Sequence, residues 1–330
     1  MGQRIVFYST KKYDQESFIR ANTKPKFELI FIENHLNTES AKLTQAGDLV
    51  CVFVNDKCGH KELSVLKAQG VRGLLLRSAG FNHVDLKTCK KLNLPVARVP
   101  SYSPHAVAEH TLMLMLALNR KIHRASNRMR EGNFQIDGLL GFDMNKKTVG
   151  IIGTGQIGAV LAKILLAMNC RVLAYDLSPN EKLKKLGVEY VTLPKLFSTS
   201  HIISLHCPLT PKTKHIIGPR NIKLMQPGVM IINTGRGGLI DTVSVIAALK
   251  NGKIGYLGLD VYEEEEQIFS EDFSGKIIQD DVFSRLLTFP NVLLTAHQAF
   301  FTEEAVNEIA RVTIENASLI FTNKTSLAFL

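Results

Sequence analysis

The segment T-V-G-I-I-G-T-G-Q-I-G at residues 148–158 constrains this 330-residue chain more than any other. An apolar run, three spaced glycines (Gly153, Gly155, Gly158) and a second apolar stretch spell a strand, a tight turn and a helix start. Such glycines let the backbone turn sharply, approach a pyrophosphate and pack the helix on its strand, and the N–H groups at the helix start favour the anion. Asp176 closes the next predicted strand, near the roughly 20-residue spacing at which a carboxylate accepts hydrogen bonds from an adenosine ribose. Three glycines alone also make an ordinary loop; the two flanking strands and Asp176 weigh for a dinucleotide site. That carboxylate repels a 2′-phosphate and no arginine directly follows it, so NAD is expected in place of NADP.

The length allows two domains, and a composition of 45% hydrophobic and 21% charged residues is that of a folded globular protein. The longest apolar stretch, residues 111–118, is bounded by His110 and Asn119 and is too short for the roughly 20 residues of a membrane span. The first residues read as a strand, without the pattern of a secretory signal, and Val6 stands where a myristoylation signal wants Ser or Thr. Five cysteines (Cys51, Cys58, Cys89, Cys170, Cys207) form no C-x-x-C pair, so reduced thiols and a cytoplasmic location are expected. The formal charge of +10 comes from single and paired bases, with no long basic run or interleaved aromatics, so no nucleic-acid partner is expected. A positive field that draws in anionic small molecules is the milder reading. No histidine spacing suits a metal site.

Short apolar strands at residues 4–9, 27–32, 49–54, 71–76 and 95–99 alternate with amphipathic stretches, which predicts an α/β unit with a parallel sheet. One long helix is expected over 105–130, with apolar positions on more than one face and therefore a candidate subunit contact. From residue 148 the rhythm restarts, with strands near 171–175, 201–205, 229–233, 254–260 and 292–296. A closing helix spans 302–322, with Glu303 and Glu304 in the first turn, where the helix dipole favours them. No linker or repeat separates the two halves.

Three further segments carry polar groups at strand ends, where open α/β sheets place ligands. Arg236, in I-I-N-T-G-R-G-G, can hold a carboxylate with two hydrogen bonds and polarise an adjacent carbonyl. His297, in L-L-T-A-H-Q, can give or take a proton. One carboxylate among residues 263–266 can hydrogen-bond that imidazole and favour its charged form. Separately, a surface cation, a solvated acidic loop and a structural histidine are the plainer readings; their conjunction behind a dinucleotide turn favours hydride-transfer chemistry.

With G-T-G-Q-I-G, L-H-C-P-L-T at 205–210, N-T-G-R-G, L-D-V-Y-E and A-H-Q-A-F, essentially the whole chain resembles the D-isomer-specific 2-hydroxyacid dehydrogenases, most closely the fermentative D-lactate dehydrogenase branch. The resemblance implies two doubly wound parallel-sheet domains: a flavodoxin-like substrate (catalytic) domain, residues 1–101 and 298–330, and an inserted Rossmann NAD-binding domain, residues 102–297. It implies catalytic roles for Arg236, Glu265 (the fifth residue after Asp260) and His297, with the substrate carboxylate on the backbone of Ser78, Ala79 and Gly80. Tyr102 and Phe300 match aromatic positions lining a small substrate pocket. Cofactor positions carried over, besides the glycines and Asp176, are Gln156, Ile157, His206, Cys207, Pro208, Thr213, Thr234, Gly235 and Asp260. Thr213 departs from the asparagine often found there, and a small apolar wall residue is the plainer reading of Cys207 than a nucleophile. The implied activity is reversible, stereospecific reduction of pyruvate to D-lactate by NADH. Other 2-hydroxyacid dehydrogenases (hydroxyisocaproate, glyoxylate/hydroxypyruvate, phosphoglycerate) and an NAD-sensing corepressor are the alternatives. A homodimer or homotetramer is implied, without membrane or metal.

Overall fold

The computed structural model describes residues 2–23, 26–265, 268–269, 272–324 and 328–330; Glu266, one of the four consecutive glutamates, lies outside them. The chain divides into two compact units, Met1–Ser103 with Phe301–Leu330, and Pro104–Phe300. The crossings therefore fall two to three residues beyond 101/102 and 297/298. Pro104 opens a helix, and residues 298–299 are bonded into the second unit by Asp260.

In the first unit the elements run β1 (Arg4–Phe7), α1 (Lys12–Ala21), β2 (Glu28–Phe31), β3 (Leu49–Val52), α2 (His60–Ala68), β4 (Gly73–Leu76), α3 (Leu86–Lys91) and β5 (Val96–Arg98). The sheet is parallel in the order β2-β1-β3-β4-β5, the flavodoxin-like winding. Successive residues face opposite sides, and both sides are covered, so the inner strands are unbroken apolar runs. Ile5, Phe7, Leu49, Cys51 and Leu75 join one core cluster; Val6, Val50, Val52, Leu74 and Leu76 join the other.

The second unit runs α4 (Pro104–Asn119), α5 (Ile122–Arg130), β6 (Thr148–Ile152), α6 (Gln156–Ala167), β7 (Arg171–Tyr175), α7 (Glu181–Lys185), β8 (Glu189–Tyr190), α8 (Leu193–Thr199), β9 (Ile202–Leu205), α9 (Pro219–Leu224), β10 (Val229–Asn233), α10 (Thr242–Lys250), β11 (Ile254–Leu259), α11 (Asp281–Leu287) and β12 (Val292–Leu294). Its seven-stranded parallel sheet has the order β12-β11-β10-β9-β6-β7-β8. The direction of winding reverses between β6 and β9, the switch point at which such sheets bind ligands beyond their strand ends. The chain then returns to the first unit as α12 (Glu303–Phe321), capped by the Thr302 side chain, and buries Ala310, Ile314, Ala317 and Ile320 against that sheet.

One helix expected over 105–130 is two. Lys121 adopts a left-handed conformation (φ 49°) between α4 and α5. The Asn119 side chain donates to Phe142 O (2.7 Å) and accepts from Phe142 N–H (2.8 Å), tying a distant loop across the end of α4. Apolar periodicity cannot register that long-range tie. Among the described residues no helix is long and apolar enough to cross a membrane, and no cluster of three or more His, Cys, Asp or Glu is arranged to hold a metal.

Candidate active site

The glycine turn follows β6 at the switch point. Gly153 has φ +96°, and a Cβ there would stand 2.5 Å from Cys207 N, against the end of β9. At Gly158 a Cβ would lie 2.1 Å from Gly153 O, so α6 packs directly on the turn. Gly155 differs: a Cβ there meets no protein atom within 4 Å, and no side chain caps α6. Apart from its chain neighbours, nothing in the protein crowds Gly155 at the helix start, so its backbone is open to a pyrophosphate and the residues fit a dinucleotide. Gln156 is exposed and Ile157 half-buried on the helix's first turn.

Asp176, just past β7, is held by the turn itself. Oδ2 accepts from Thr154 N (2.6 Å) and Thr154 Oγ1 (3.1 Å), while Oδ1 accepts from Ser178 N (3.0 Å). Burial raises its pKa, but these hydrogen bonds outweigh that and hold it below the ordinary value, so it stays an anionic acceptor. Tyr190 Oη donates to Thr154 Oγ1 (2.9 Å), a brace the sequence did not suggest because β8 has only two residues. His206 bonds Ser204 Oγ through Nε2 (2.8 Å), and burial pushes its pKa down to about 4, which leaves a neutral ring at the end of β9. Burial pushes the neighbouring Cys207 thiol up to about 11. Pro208 is exposed, and Thr213 closes its loop by donating to Pro208 O (2.6 Å).

Three adjacent strands, β10, β11 and β12, end on the same edge of the sheet and carry the ionisable groups. After β10, buried Asn233 accepts from Gly235 N–H (3.0 Å) and donates to Arg236 O (2.9 Å), which folds N-T-G-R into a tight turn. Thr234 is buried with its hydroxyl 2.8 Å from Thr111 Oγ1 on α4. Gly237 lets the turn press on the next loop: a Cβ there would lie 2.0 Å from Tyr262 O. Arg236 is half-buried and donates to Gly235 O (2.7 Å), leaving most of its five N–H donors for a ligand.

After β11, Asp260 is fully buried. Its oxygens accept from Thr295 Oγ1 (2.6 Å), Gln298 N (2.9 Å) and Ala299 N (2.9 Å), and its own carbonyl accepts from His297 N (2.7 Å). His110 on α4 adds a contact to Thr295 Oγ1 (3.0 Å) and approaches Asp260 Oδ1 (3.4 Å). Burial raises the Asp260 pKa, yet the His110, Thr295, Ala299 and Gln298 hydrogen bonds outweigh it and hold the group below the ordinary value. This clamp keeps His297 in a left-handed conformation (φ 52°), a costly backbone state that surrounding structure must enforce.

Glu265 meets that histidine. Its Oε1 lies 2.8 Å from His297 Nδ1, and its Oε2 accepts from Tyr262 N (2.9 Å). Glu263 pairs instead with His215 Nε2 (2.5 Å), and Glu264 is exposed. A carboxylate only accepts, so Nδ1 carries the shared proton and Nε2 is the nitrogen left for exchange.

In the first unit, residues 78–81 follow β4. Ser78 O accepts from Val99 N (3.2 Å), Ala79 O from Arg98 Nη1 (2.7 Å) and Gly80 O from Ser78 Oγ (2.8 Å). The N–H groups of Ser78, Ala79, Gly80 and Phe81 have no acceptor in the chain among the described residues. Such a run of donors suits a carboxylate. Tyr102 and Phe300, both half-buried, stand near the ends of the first and second units respectively.

Residues 112–299 match the NAD binding domain of the D-isomer specific 2-hydroxyacid dehydrogenases, and the chain belongs to that family, with NAD as its cofactor. D-lactate dehydrogenase of Escherichia coli is 50% identical over 315 residues, 96% of each chain. Its apo-structure aligns with a TM-score of 0.91 at 47% identity, covering 99% of this chain and 100% of that one. A structure described as the pyruvate reductase of Chlamydomonas reinhardtii aligns at 0.93 with 40% identity over 98% of both chains. The D-lactate dehydrogenase of Aquifex aeolicus, solved with NAD and lactic acid, aligns at 0.85 with 34% identity, over 97% of this chain and 96% of that one.

Proposed function

We propose that this chain acts as a cytoplasmic D-lactate dehydrogenase, reducing pyruvate reversibly to D-lactate with NADH. The His297–Glu265 contact of 2.8 Å carries the reading, because it makes a proton donor on the same sheet edge as the glycine turn and Arg236. Gly153, Gly155, Gln156, Ile157 and Gly158 would hold the pyrophosphate, and Asp176 the adenosine ribose. His206, Cys207, Pro208 and Thr213 would flank the adenosine. Thr234, Gly235 and the backbone held by Asp260 would flank the nicotinamide. When bound, NADH supplies a hydride to the keto carbon.

The chain's own groups do the rest. Arg236 forks onto the substrate carboxylate and polarises the keto group, and the N–H groups of Ser78, Ala79 and Gly80 are further donors suited to a carboxylate. His297 Nε2 passes its proton to the keto oxygen while Glu265 holds Nδ1–H and stabilises the charged ring. In the oxidative direction the neutral ring takes the hydroxyl proton. Tyr102 and Phe300 bound a short apolar tail.

Steady-state rates with NADH and NADPH across pyruvate, phenylpyruvate, 2-ketoisocaproate and hydroxypyruvate test the assignment. The expected result is the highest kcat/KM for pyruvate with NADH and a product of D configuration. Preference for a bulkier acid would move the chain to another branch of the family.

The same reading includes a homodimer or homotetramer. Met113, Leu116, Ala117, Ile122, Ile136 and Leu140 line an apolar groove in the second unit, and Phe134, Ile136 and Leu140 are 70%, 82% and 86% exposed. An apolar patch of that kind beside an apolar groove supports self-association. Sedimentation equilibrium checks it: a monomer at micromolar concentration would exclude it.

A further inference from the structure

Arg98 has no place in the proton and hydride chemistry, yet both its backbone groups and its guanidinium are engaged. It sits on β5 in register with Leu76 of β4. Its backbone N–H donates to Ala328 O (2.9 Å), and its carbonyl accepts from Asn316 Nδ2 on α12 (2.9 Å). With both backbone groups held, the side chain starts from a set position. Its guanidinium carbon lies 5.2 Å from the Phe81 ring centroid, Nη1 donates to Ala79 O at 2.7 Å, and Nε is buried without a hydrogen-bond partner.

The target of Nη1 matters. A trans peptide points its C=O and the following N–H in opposite directions. Anchoring Ala79 O therefore turns Gly80 N–H away from Arg98, as the Val99 bond to Ser78 O does for Ala79 N–H and the Ser78 hydroxyl on Gly80 O does for Phe81 N–H. Two of these three anchors are neutral: a hydroxyl two residues away and the Val99 backbone N–H just past β5. The third is a full positive charge from a neighbouring strand, and a charged donor on a carbonyl polarises that peptide and strengthens its N–H as a donor. A neutral side chain could hold the carbonyl without the cost of desolvating a cation.

We infer that Arg98 is a positioning residue for the substrate carboxylate: it sets the Gly80 N–H and, through the Ala79–Gly80 peptide, favours an ionised acid over a neutral derivative. This rests on the reading of the chain as a 2-keto acid reductase whose carboxylate site includes residues 78–80.

Arg98→Gln keeps a donor to Ala79 O without the charge, and Arg98→Lys keeps the charge without the fork. The two variants and the wild-type chain are assayed for NADH-dependent reduction of pyruvate and of its methyl ester, with NADH affinity from fluorescence quenching. In Arg98→Gln the pyruvate KM should rise about tenfold with kcat within about threefold. Ester kcat/KM and NADH affinity should be unchanged, so the acid-to-ester preference shrinks about tenfold. Arg98→Lys should recover most of that preference. Equal losses on acid and ester, or an unchanged preference, would overturn the inference and leave Arg98 a structural residue. A wild-type chain that reduces neither compound would instead overturn the reading on which the inference depends.

Discussion

His297 Nδ1 lies 2.8 Å from Glu265 Oε1, and the other oxygen of the same carboxylate accepts the Tyr262 N–H at 2.9 Å. The glutamate therefore faces the imidazole with its own position set by the backbone of the loop that carries it. Neighbouring Glu264 is exposed. Glu265→Gln should lower kcat at least about tenfold, because an amide can present its N–H₂ to the ring and favour the wrong tautomer. Glu264→Gln should match the wild type in steady-state assays. The reverse pattern would shift the register.

Arg236 is suited to a planar fork, which a lysine point charge cannot reproduce. Arg236→Lys should cut kcat/KM for pyruvate about 10- to 100-fold, the scale of a lost charge-assisted hydrogen bond, while NADH affinity stays within about twofold. Stopped-flow binding and initial rates measure the two separately. Loss confined to NADH affinity would place Arg236 in the cofactor site instead.

Gly155 and Gly158 make opposite predictions. A methyl at Gly155 meets no protein atom within 4 Å, whereas at Gly158 it would stand 2.1 Å from Gly153 O. Gly155→Ala should melt like the wild type and bind NADH about tenfold more weakly, since the added carbon fills the pyrophosphate approach. Gly158→Ala should lower the Tm itself. Calorimetry with and without NADH distinguishes the two.

Acid should act through Asp260 and His206. Asp260 has a folded-state pKa below 3.8, so its contribution is present above that value and is lost as pH falls through the depressed one. Asp260→Asn should cost roughly 2–3 kcal/mol at pH 7, with the difference narrowing below pH 4. His206 falls from 6.5 to about 4 in the folded chain. Between those values the unfolded chain binds the extra proton, so stability drops as pH falls, by about 1.4 kcal/mol per unit. Urea titrations should show a shallower slope between pH 6.5 and 4 for His206→Asn; an unchanged slope would contradict the buried neutral ring.

What the sequence made legible was local. The glycine turn, the strand-end N-T-G-R and the alternating apolar runs each occupy a few consecutive residues, and their geometry follows from φ freedom and side-chain period. The partners were not local. Asp176 is held by Thr154, which Tyr190 braces in turn, Ala79 O by Arg98 and the 297–299 turn by Asp260. Each contact joins segments that only the folded sheets bring together. Choosing among the consecutive glutamates from local residues is the same problem, because among the described ones it is a contact 32 residues away that favours Glu265. The expected single helix over 105–130 failed for that reason too: Asn119 is bonded to Phe142, and apolar period carries no sign of it.

The most direct test of the account is the turnover of His297→Gln at pH 7 with saturating NADH and pyruvate. Loss of the proton donor should lower kcat by about 10²- to 10⁴-fold, with NADH affinity preserved. Wild-type turnover in that variant would contradict the assignment of His297 as the acid and base of the reaction.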